Sequence, residues 1–311
     1  MTPAGDAALA VIVVNYGSSQ LIAENLAGHD PRPVATEVVV VDNFTSHAEL
    51  AAIRDLCARL GWHLVANPTN LGFGAAMNAG VRRAQDLGCE VFLLLNPDAR
   101  VEPAVISALL IDSQRDPLAV VCPRIIDSDG RDWFAGGTVS VQDGTTSTRA
   151  GTDSSLPGGW ITGACLMIHD ELWTRIDGFD DDYFLYWEDV DLSWRATAVG
   201  GRLRVRTDLA ARHSIGGTQT AEGKSSTYMY YNCRNRLLFA SKHLDRSDIL
   251  HWVRRTPAYT WEVATRGSRR TLARHPLLLG AAIRGSVAGT VHALRTTRTA
   301  SVLRQPRAVS R

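Results

Sequence analysis

The sequence has no CxxC pair, no cluster of cysteines and no long apolar run. Its five cysteines are widely spaced over 311 residues, which excludes a disulfide framework or a zinc ribbon and favours a reduced, cytoplasmic protein. No apolar run reaches the roughly 18 residues of a membrane span. The short apolar stretch at residues 9–14 follows Asp6 instead of a basic region, so no secretion signal is predicted. We therefore expect any membrane contact to be made from the surface.

Acidic residues are scarce in the C-terminal part of the chain. Residues 241–311 carry 14 Lys and Arg against Asp245, Asp248 and Glu262, although the formal net charge of the whole chain is only +1. The first 240 residues are correspondingly acidic. A basic extension is typical of contact with phosphate, either of anionic lipid or of nucleic acid. We expect an anionic membrane surface as the partner and no nucleic acid.

Short β-branched runs alternate with helical segments in the N-terminal half. Strands are predicted at residues 10–15, 37–41, 63–66, 91–95 and 119–122, and helices at residues 18–27, 48–60, 74–87 and 103–113. This alternation predicts an α/β fold with a largely parallel sheet, whose ligands bind at the carboxyl ends of the strands.

The remaining sequence predicts a second, smaller region. Residues 127–157 are typical of a hairpin or a flexible connection, and residues 214–226 of a mobile lid. Two or three basic helices follow, and in the last of them Leu279, Ile283, Val287, Val291 and Leu294 form one apolar stripe. Such a helix lies on a partner or on a lipid surface. We predict domains at residues 1–243 and 244–311.

Polar residues directly follow several predicted strands. Asn96-Pro97-Asp98 ends a strongly apolar run, and a carboxylate there suits Mg²⁺ or Mn²⁺ bound to substrate phosphates. The alternative is a turn in which Asp98 caps the next helix. His213 follows a predicted strand at residues 203–211, and it either completes a metal site through a neutral imidazole or is structural.

Two further segments are candidates for contact with a nucleotide. Residues 70–80 form a Gly-rich turn that enters a helix, where backbone amides can receive a ribose or a phosphate. Met77 stands where a dinucleotide fingerprint needs its third glycine, and a purely structural turn is the alternative. Arg234 lies on a helix after the predicted lid, where its guanidinium suits diphosphate oxygens, unless it belongs to a solvated basic face.

The most unusual segment is residues 178–192, which places six carboxylates among five aromatic rings. Carboxylates close together raise one another's pKa, and aromatic walls exclude water, so one carboxylate can be kept as a base. Glu188 and Asp189 stand side by side at the start of a predicted helix. A role at the helix dipole without catalysis is the alternative.

Taken in order, these motifs resemble the family 2 glycosyltransferases of the GT-A (Rossmann-like) fold, over about residues 9–240. The matching motifs lie at residues 11–16, 41–43, 70–78, 95–98, 178–180, 187–195 and 213. Within the family, the amino-acid sequence at residues 70–74 and 96–98 is most similar to that of bacterial rhamnosyltransferases that use dTDP-L-rhamnose.

The resemblance implies roles for individual residues. Asn15, Tyr16 and Asp42 would bind the nucleotide, with Tyr16 and Asp42 at the base. Asn70, Gly72 and Asn78 would line its pocket, and Asn96 and Arg234 would contact the donor. Asp98 and His213 would hold Mg²⁺ or Mn²⁺, and Asp189 would be the catalytic base, supported by Glu188. Asn96 replaces the first Asp of the family's Asp-x-Asp motif, which weakens metal affinity.

The sequence thus predicts a cytoplasmic inverting glycosyltransferase at the membrane surface. It would move L-rhamnose to a lipid-linked or cell-envelope glycan. The alternatives are an enzyme that uses a UDP or GDP sugar, a sugar nucleotidyltransferase, and a non-catalytic nucleotide-sugar-binding protein.

Overall fold

The computed structural model describes residues 8–27, 36–148, 158–213, 225–266, 272 and 275–303. The chain divides into two compact units. The first unit comprises residues 1–139 and 146–218, and the second comprises residues 140–145 and 219–311. The predicted lid falls largely on residues 214–224, which lie outside the described residues.

The first unit is built on a mostly parallel sheet. Among the described residues nine strands join it, in the order β3-β2-β1-β4-β11-β6-β12-β5, with β7 paired to β6. These strands are β1 (Ala8–Asn15), β2 (Thr36–Asp42), β3 (His63–Ala66), β4 (Cys89–Leu95), β5 (Ala99–Arg100), β6 (Ala119–Ile126), β7 (Asp132–Phe134), β11 (Cys165–His169) and β12 (Arg202–His213). A smaller sheet holds β8 (Gly137–Val139), β9 (Thr146–Ser147) and β10 (Gly159–Trp160).

The central strands consist of nearly continuous apolar residues because both faces of the sheet are covered. In β1, β2 and β4 the strand interiors are buried, with Val, Ile, Leu and Phe predominating. Strands β1, β2, β3 and β4 run parallel, so their carboxyl ends meet at one edge of the sheet. Strand β11 runs antiparallel to both β4 and β6, and it therefore begins at that same edge.

Six helices accompany these strands in the first unit. They are α1 (Ser19–Ile22), α2 (His47–Leu60), α3 (Phe73–Asp86), α4 (Pro103–Arg115), α5 (Asp170–Ile176) and α6 (Glu188–Ala198). The Ser46 side chain caps α2 by accepting a hydrogen bond from the Glu49 amide. The helix predicted at residues 18–27 is instead one α-helical turn that continues as a π-helix over Ala23–Ala27.

The second unit contains three helices among the described residues that pack together. They are α7 (Ser226–His243), α8 (Arg246–Thr265) and α9 (Leu277–Leu303). The predicted boundary between residues 243 and 244 falls inside this unit, because α7 packs against α9. Their backbones approach closely, and a Cβ on Gly285 would lie 2.1 Å from the Tyr230 carbonyl oxygen.

Helix α9 is relevant to membrane contact. Over Leu277–Thr296 it is long and apolar enough to cross a bilayer by length and composition alone, with a mean hydropathy of 1.4. Polar residues such as Arg284, Ser286 and His292 interrupt the apolar run, so the run is less evident in the sequence. The five cysteines are all buried and free, in agreement with a reduced protein.

Candidate active site

The carboxyl ends of β1 and β2 carry a buried pair of polar side chains. Asn15 and Asp42 are partners in the strand register, and the Asn15 side-chain amide donates to Asp42 Oδ1 at 2.8 Å. Burial raises the pKa of Asp42, while the bond from Asn15 opposes that shift. Among the described residues, its second oxygen, Oδ2, is buried without a hydrogen-bond partner. An acceptor left open in this way is suited to an N–H of a ligand, and Tyr16, beside it, is 54% exposed.

The Gly-rich turn is held to the sheet by two asparagines. Asn43 donates to Asn70 Oδ1 at 2.8 Å and accepts from the Leu71 amide at 2.9 Å. Asn70 Oδ1 in turn accepts from the Gly72 amide at 2.9 Å. Asn70 therefore fixes the turn from within. Asn43 belongs to the motif at residues 41–43, but the sequence predicted no role for it.

Gly72 lets the acidic segment, residues 178–192, approach the turn. Its φ of +90° is strained for other residues, and a Cβ there would lie 2.3 Å from the Phe184 carbonyl oxygen. That same oxygen accepts a hydrogen bond from the Phe73 amide at 2.9 Å. The backbone of the acidic segment is thus joined to the start of α3.

Asn78 makes a second connection between the same two regions. Its side-chain nitrogen donates to the Phe179 carbonyl and to Asp181 Oδ1, and its oxygen accepts from the Phe179 amide, all within 2.9 Å. The amide group is engaged in positioning residues 178–181. A direct contact with nucleotide stays a prediction. Asn78, Asp181 and Arg195 border a polar cavity of about 630 Å³.

Asp98 and His213 lie side by side, 115 positions apart in the sequence. His213 Nε2 is 2.9 Å from Asp98 Oδ1, and both side chains are buried. The pairing of His213 with Ala99 between β12 and β5 creates this contact. The Asn96 side chain completes the group, with its nitrogen 3.4 Å from His213 Nε2.

These three side chains suit a divalent cation that also binds phosphate. They present a carboxylate, an imidazole nitrogen and an amide, which leaves positions for phosphate oxygens and water. His213 Nε2 is the ring nitrogen that faces Asp98, and Nδ1 is buried without a partner in the described part of the chain. Among the described residues no cluster contains three His, Cys, Asp or Glu ligands. A metal here would therefore depend on the substrate for further ligands.

Asp189 lies at the first turn of α6, and its two oxygens have backbone partners. Oδ2 accepts from the Gly163 amide at 3.2 Å, and Oδ1 accepts from the Val190 amide at 2.9 Å. Burial raises the pKa of Asp189 to about 6, although these hydrogen bonds favour the ionised form. The carboxylate is thus ionised at neutral pH and more basic than an exposed aspartate.

The neighbouring Glu188 is in a different environment. It is buried, and its Oε2 has no hydrogen-bond partner among the described residues. Burial, followed by the charge of Asp189, raises the pKa of Glu188 well above its usual value. Burial and the neighbouring charge therefore disfavour ionisation of Glu188 more than that of Asp189.

Left-handed backbone at Tyr186 and Trp187, with φ of +66° and +73°, turns the chain into α6. Such backbone is costly outside glycine and is often found at functional sites. Within α6, Arg195 Nε donates to the fully buried Asp191 at 2.7 Å, and Nη1 donates to the Ile176 carbonyl. These contacts fix the start of the helix that carries Asp189.

A short path connects Asp189 with the strand end that carries Asp98. The backbone amide of Asn96 donates to the Ala164 carbonyl at 3.0 Å, and the backbone amide of the adjacent Gly163 donates to the Asp189 carboxylate. Because β11 begins at this edge, a carboxylate near residue 190 reaches a strand end near residue 96. The Gly163 amide thus brings residues 160–164 against the predicted base.

Arg234 belongs to the second unit. It lies on α7, where its Nη1 donates to Asn235 Oδ1 at 2.6 Å. The predicted contact of Arg234 with the donor diphosphate stays a prediction.

The comparisons with known proteins agree with this geometry. Residues 10–162 match the sequence model of the family described as "Glycosyl transferase family 2", a span that contains the strand ends of β1, β2 and β4. The chain belongs to the family 2 glycosyltransferases, and its first unit has the GT-A fold. It is therefore an enzyme that transfers a sugar.

Two curated relatives indicate how varied the similar proteins are. The chain is 28% identical over 251 residues to the low-salt glycan biosynthesis hexosyltransferase Agl10 of Haloferax volcanii, covering 76% of this chain and 78% of that one. It is also 28% identical over 222 residues to the N-acetylglucosaminyl-diphospho-decaprenol L-rhamnosyltransferase of Mycobacterium tuberculosis, covering 62% and 71%.

A solved structure supports the fold. The mannosyltransferase PcManGT of Pyrobaculum calidifontis, in complex with GDP-Man and Mn²⁺, aligns with a TM-score of 0.56 at 16% identity. The alignment covers 96% of this chain and 88% of the other. At that identity the similarity concerns the fold.

Proposed function

We propose that this enzyme transfers L-rhamnose from dTDP-L-rhamnose to a hydroxyl of a lipid-linked or cell-envelope glycan, with inversion at the anomeric carbon. The observation that carries the transfer chemistry is Asp189, a partly desolvated carboxylate held by the Gly163 amide. The similarity to the mycobacterial L-rhamnosyltransferase favours rhamnose and, through the acceptor in its name, a lipid diphosphate.

Asp189 acts as the general base. The acceptor oxygen attacks the anomeric carbon while the bond from that carbon to the diphosphate breaks, and Asp189 takes the hydroxyl proton. A pKa of about 6 leaves the carboxylate ionised at neutral pH, yet basic enough to assist. Protonation of Glu188, which its raised pKa favours, would remove a competing negative charge beside it. The nucleoside diphosphate leaves from the opposite side of the sugar.

Asp98 and His213, with Asn96 beside them, would hold Mg²⁺ or Mn²⁺. When bound, the ion supplies positive charge to the departing diphosphate. The mannosyltransferase with Mn²⁺ and a GDP sugar supports this assignment by its fold. On the nucleotide side, Asp42 Oδ2 offers an acceptor to an N–H of the base, and the exposed Tyr16 ring offers a face for stacking.

A second candidate is transfer from a UDP or GDP sugar. The haloarchaeal hexosyltransferase and the mannosyltransferase with GDP-Man favour it. Neither Asp42 nor Asp98 distinguishes one hexose from another, because they would contact the nucleotide and the diphosphate.

Hydrolysis of a panel of nucleotide sugars tests the proposal. The purified chain is incubated with dTDP-L-rhamnose, UDP-glucose, UDP-N-acetylglucosamine and GDP-mannose, with Mn²⁺ or with EDTA, and the released nucleotide is measured. We expect dTDP from dTDP-L-rhamnose at a rate at least about tenfold above the other donors, and little release in EDTA. Faster hydrolysis of a UDP or GDP sugar would establish the second candidate, and formation of a nucleoside triphosphate when pyrophosphate is added would indicate nucleotidyl transfer.

A further inference from the structure

An apolar groove of about 500 Å³ runs between α8 and α9 in the second unit. Its walls include Val253, Pro257 and Trp261 from α8, and Ile283, Val287 and Val291 from α9. The large apolar side chains at its rim are exposed, with 52% of Trp261, 48% of Ile283 and 57% of Val287 accessible. A contiguous apolar surface of this kind marks a site of interaction.

Packing of α9 within its own unit accounts for the position of this surface. Ala281, Ala282 and Gly285 face inward, and the two alanines join a core cluster with Met229 and Tyr259. The small residues of α9 are thus used in folding, and its large β-branched residues point away from the core. This face of the helix is not needed to hold the described part of the unit together.

The polar groups in the floor of the groove already have partners. Thr256 Oγ1 donates to the Trp252 carbonyl at 2.9 Å, and Thr260 Oγ1 donates to the Thr256 carbonyl at 2.8 Å. Ser286 Oγ is 2.5 Å from Thr260 Oγ1. Because these hydroxyls bond within the unit, hydrocarbon can fill the groove without leaving a polar group unsatisfied.

Positive charge lies beside the groove. Arg254 and Arg284 are exposed and each follow a groove-lining residue by one position, so each lies about 100° around its helix from that residue. The whole segment from residue 241 to 311 carries 14 Lys and Arg against three acidic residues. A nucleic acid would match the charge but not the hydrocarbon surface. Anionic lipid matches both.

We propose that the α8–α9 face docks on a bilayer that contains anionic lipid. Ile283, Val287 and Trp261 enter the boundary between headgroups and acyl chains, where tryptophan is favoured. Arg254 and Arg284 contact lipid phosphates. Helix α9 lies along the surface, because its opposite face is packed against α7. The proposal is independent of the sugar and of the proposed donor.

Vesicle flotation of the full chain tests this docking. One set of vesicles contains phosphatidylcholine alone, and the other adds phosphatidylglycerol. We expect binding to the anionic vesicles, which the double variant Ile283→Glu/Val287→Glu weakens at least about tenfold. The matched control is Ile111→Glu, which places the same charge at an isoleucine of the first unit that is 46% exposed, and it should leave binding unchanged.

The proposed contacts of Arg254 and Arg284 with lipid phosphates are tested separately. Arg254→Gln and Arg284→Gln should each weaken binding to anionic vesicles by about fivefold, with no effect on vesicles of phosphatidylcholine alone. Arg131→Gln, at an exposed arginine of the first unit, is the control.

Unchanged vesicle binding in the double glutamate variant would overturn the proposal. The same holds if the wild-type chain is a dimer that this variant converts to a monomer while lipid binding stays as before, since the groove would then bind a second copy.

Discussion

The two units differ in the hydrogen bonding of some of their buried polar groups. In the first unit, Asp42 Oδ2, Glu188 Oε2 and His213 Nδ1 are buried without partners among the described residues. In the second unit, Arg236, Thr256 and Thr260 are buried with hydrogen bonds to backbone carbonyls. The hydroxyl of Tyr259 is an exception there. Polar atoms left unpaired at the ends of strands cost stability and are suited to a ligand, whereas paired ones stabilise the helices.

Each unit should therefore be sensitive to a different kind of substitution. Substitutions at the strand ends of the first unit should affect catalysis more than folding. Substitutions of buried polar residues in the second unit should affect folding more than catalysis. The effects on catalysis and on folding can be measured separately, and the largest change is expected at the proposed base.

Removal of the proposed base should have the largest effect. Asp189→Asn keeps the shape of the side chain but cannot accept a proton, so we expect the rate of sugar transfer to fall by about 10³-fold. Donor binding, measured by calorimetry, should change little. Asp55→Asn, at an exposed aspartate on α2, is the matched control. Transfer by Asp189→Asn at the wild-type rate would show that another group takes the proton.

Arg236 should be the most sensitive position of the second unit. Its buried guanidinium donates to the carbonyls of Asp143, Gly144 and Trp252, and it lies 4.8 Å and 4.5 Å from the ring centroids of Trp252 and Tyr259.

Burial lowers the pKa of Arg236 to about 10, which still leaves it charged at neutral pH. Arg236→Met removes every donor, and we expect the free energy of unfolding in urea to fall by about 3 kcal/mol. Arg246→Met, at the exposed start of α8, is the control. A loss no larger than that of the control would mean that the guanidinium bonds only offset the cost of burying the charge.

A comparison of Gly72 with Gly61 can separate the cost of backbone strain from the cost of disturbing the contact with the acidic segment. Gly72 and Gly61 both have positive φ, but a Cβ on Gly61 would meet nothing within 4 Å. Alanine at either position should cost about 1 kcal/mol of backbone strain. Gly72→Ala must also displace the Phe184 carbonyl, which should add about 1–2 kcal/mol and raise the KM for the donor. Equal losses of stability in the two variants would argue against that contact.

The smallest effect is the pH dependence of stability caused by Asp189. Burial raises its pKa to about 6 in the folded chain, above the roughly 4 of an unfolded aspartate, so the folded state binds the proton more tightly. The free energy of unfolding should therefore decrease as pH rises from about 4 to 6, by about 2 kcal/mol from this group. Unfolding in urea at several pH values should show a smaller decrease in Asp189→Asn than in the wild-type chain, because Glu188 and Asp42, whose pKa values burial also raises, still contribute.

The sequence predicted the sheet well because its strands are apolar runs that end in polar residues. It also pointed to Asp98 and His213 as neighbours in one site, and the β5–β12 pairing brings them together. Other contacts had no sequence signal. Phe184 contributes a backbone carbonyl, which any residue possesses. Likewise, the turn at residues 140–145 belongs to the second unit through Arg236, more than 90 positions away, and no local pattern indicates it.

The buried cysteines have a practical consequence for spectroscopy. Burial raises the pKa of every thiol, to about 11 for Cys57 and Cys89 and to about 12 for Cys165, with Cys122 and Cys233 raised as well. Thiols of this kind are shielded from maleimide reagents and are protonated at neutral pH. A cysteine introduced at an exposed position would therefore be the one that takes up a fluorophore or a spin label. The native chain can serve as its own unlabelled background, with no need to remove its cysteines.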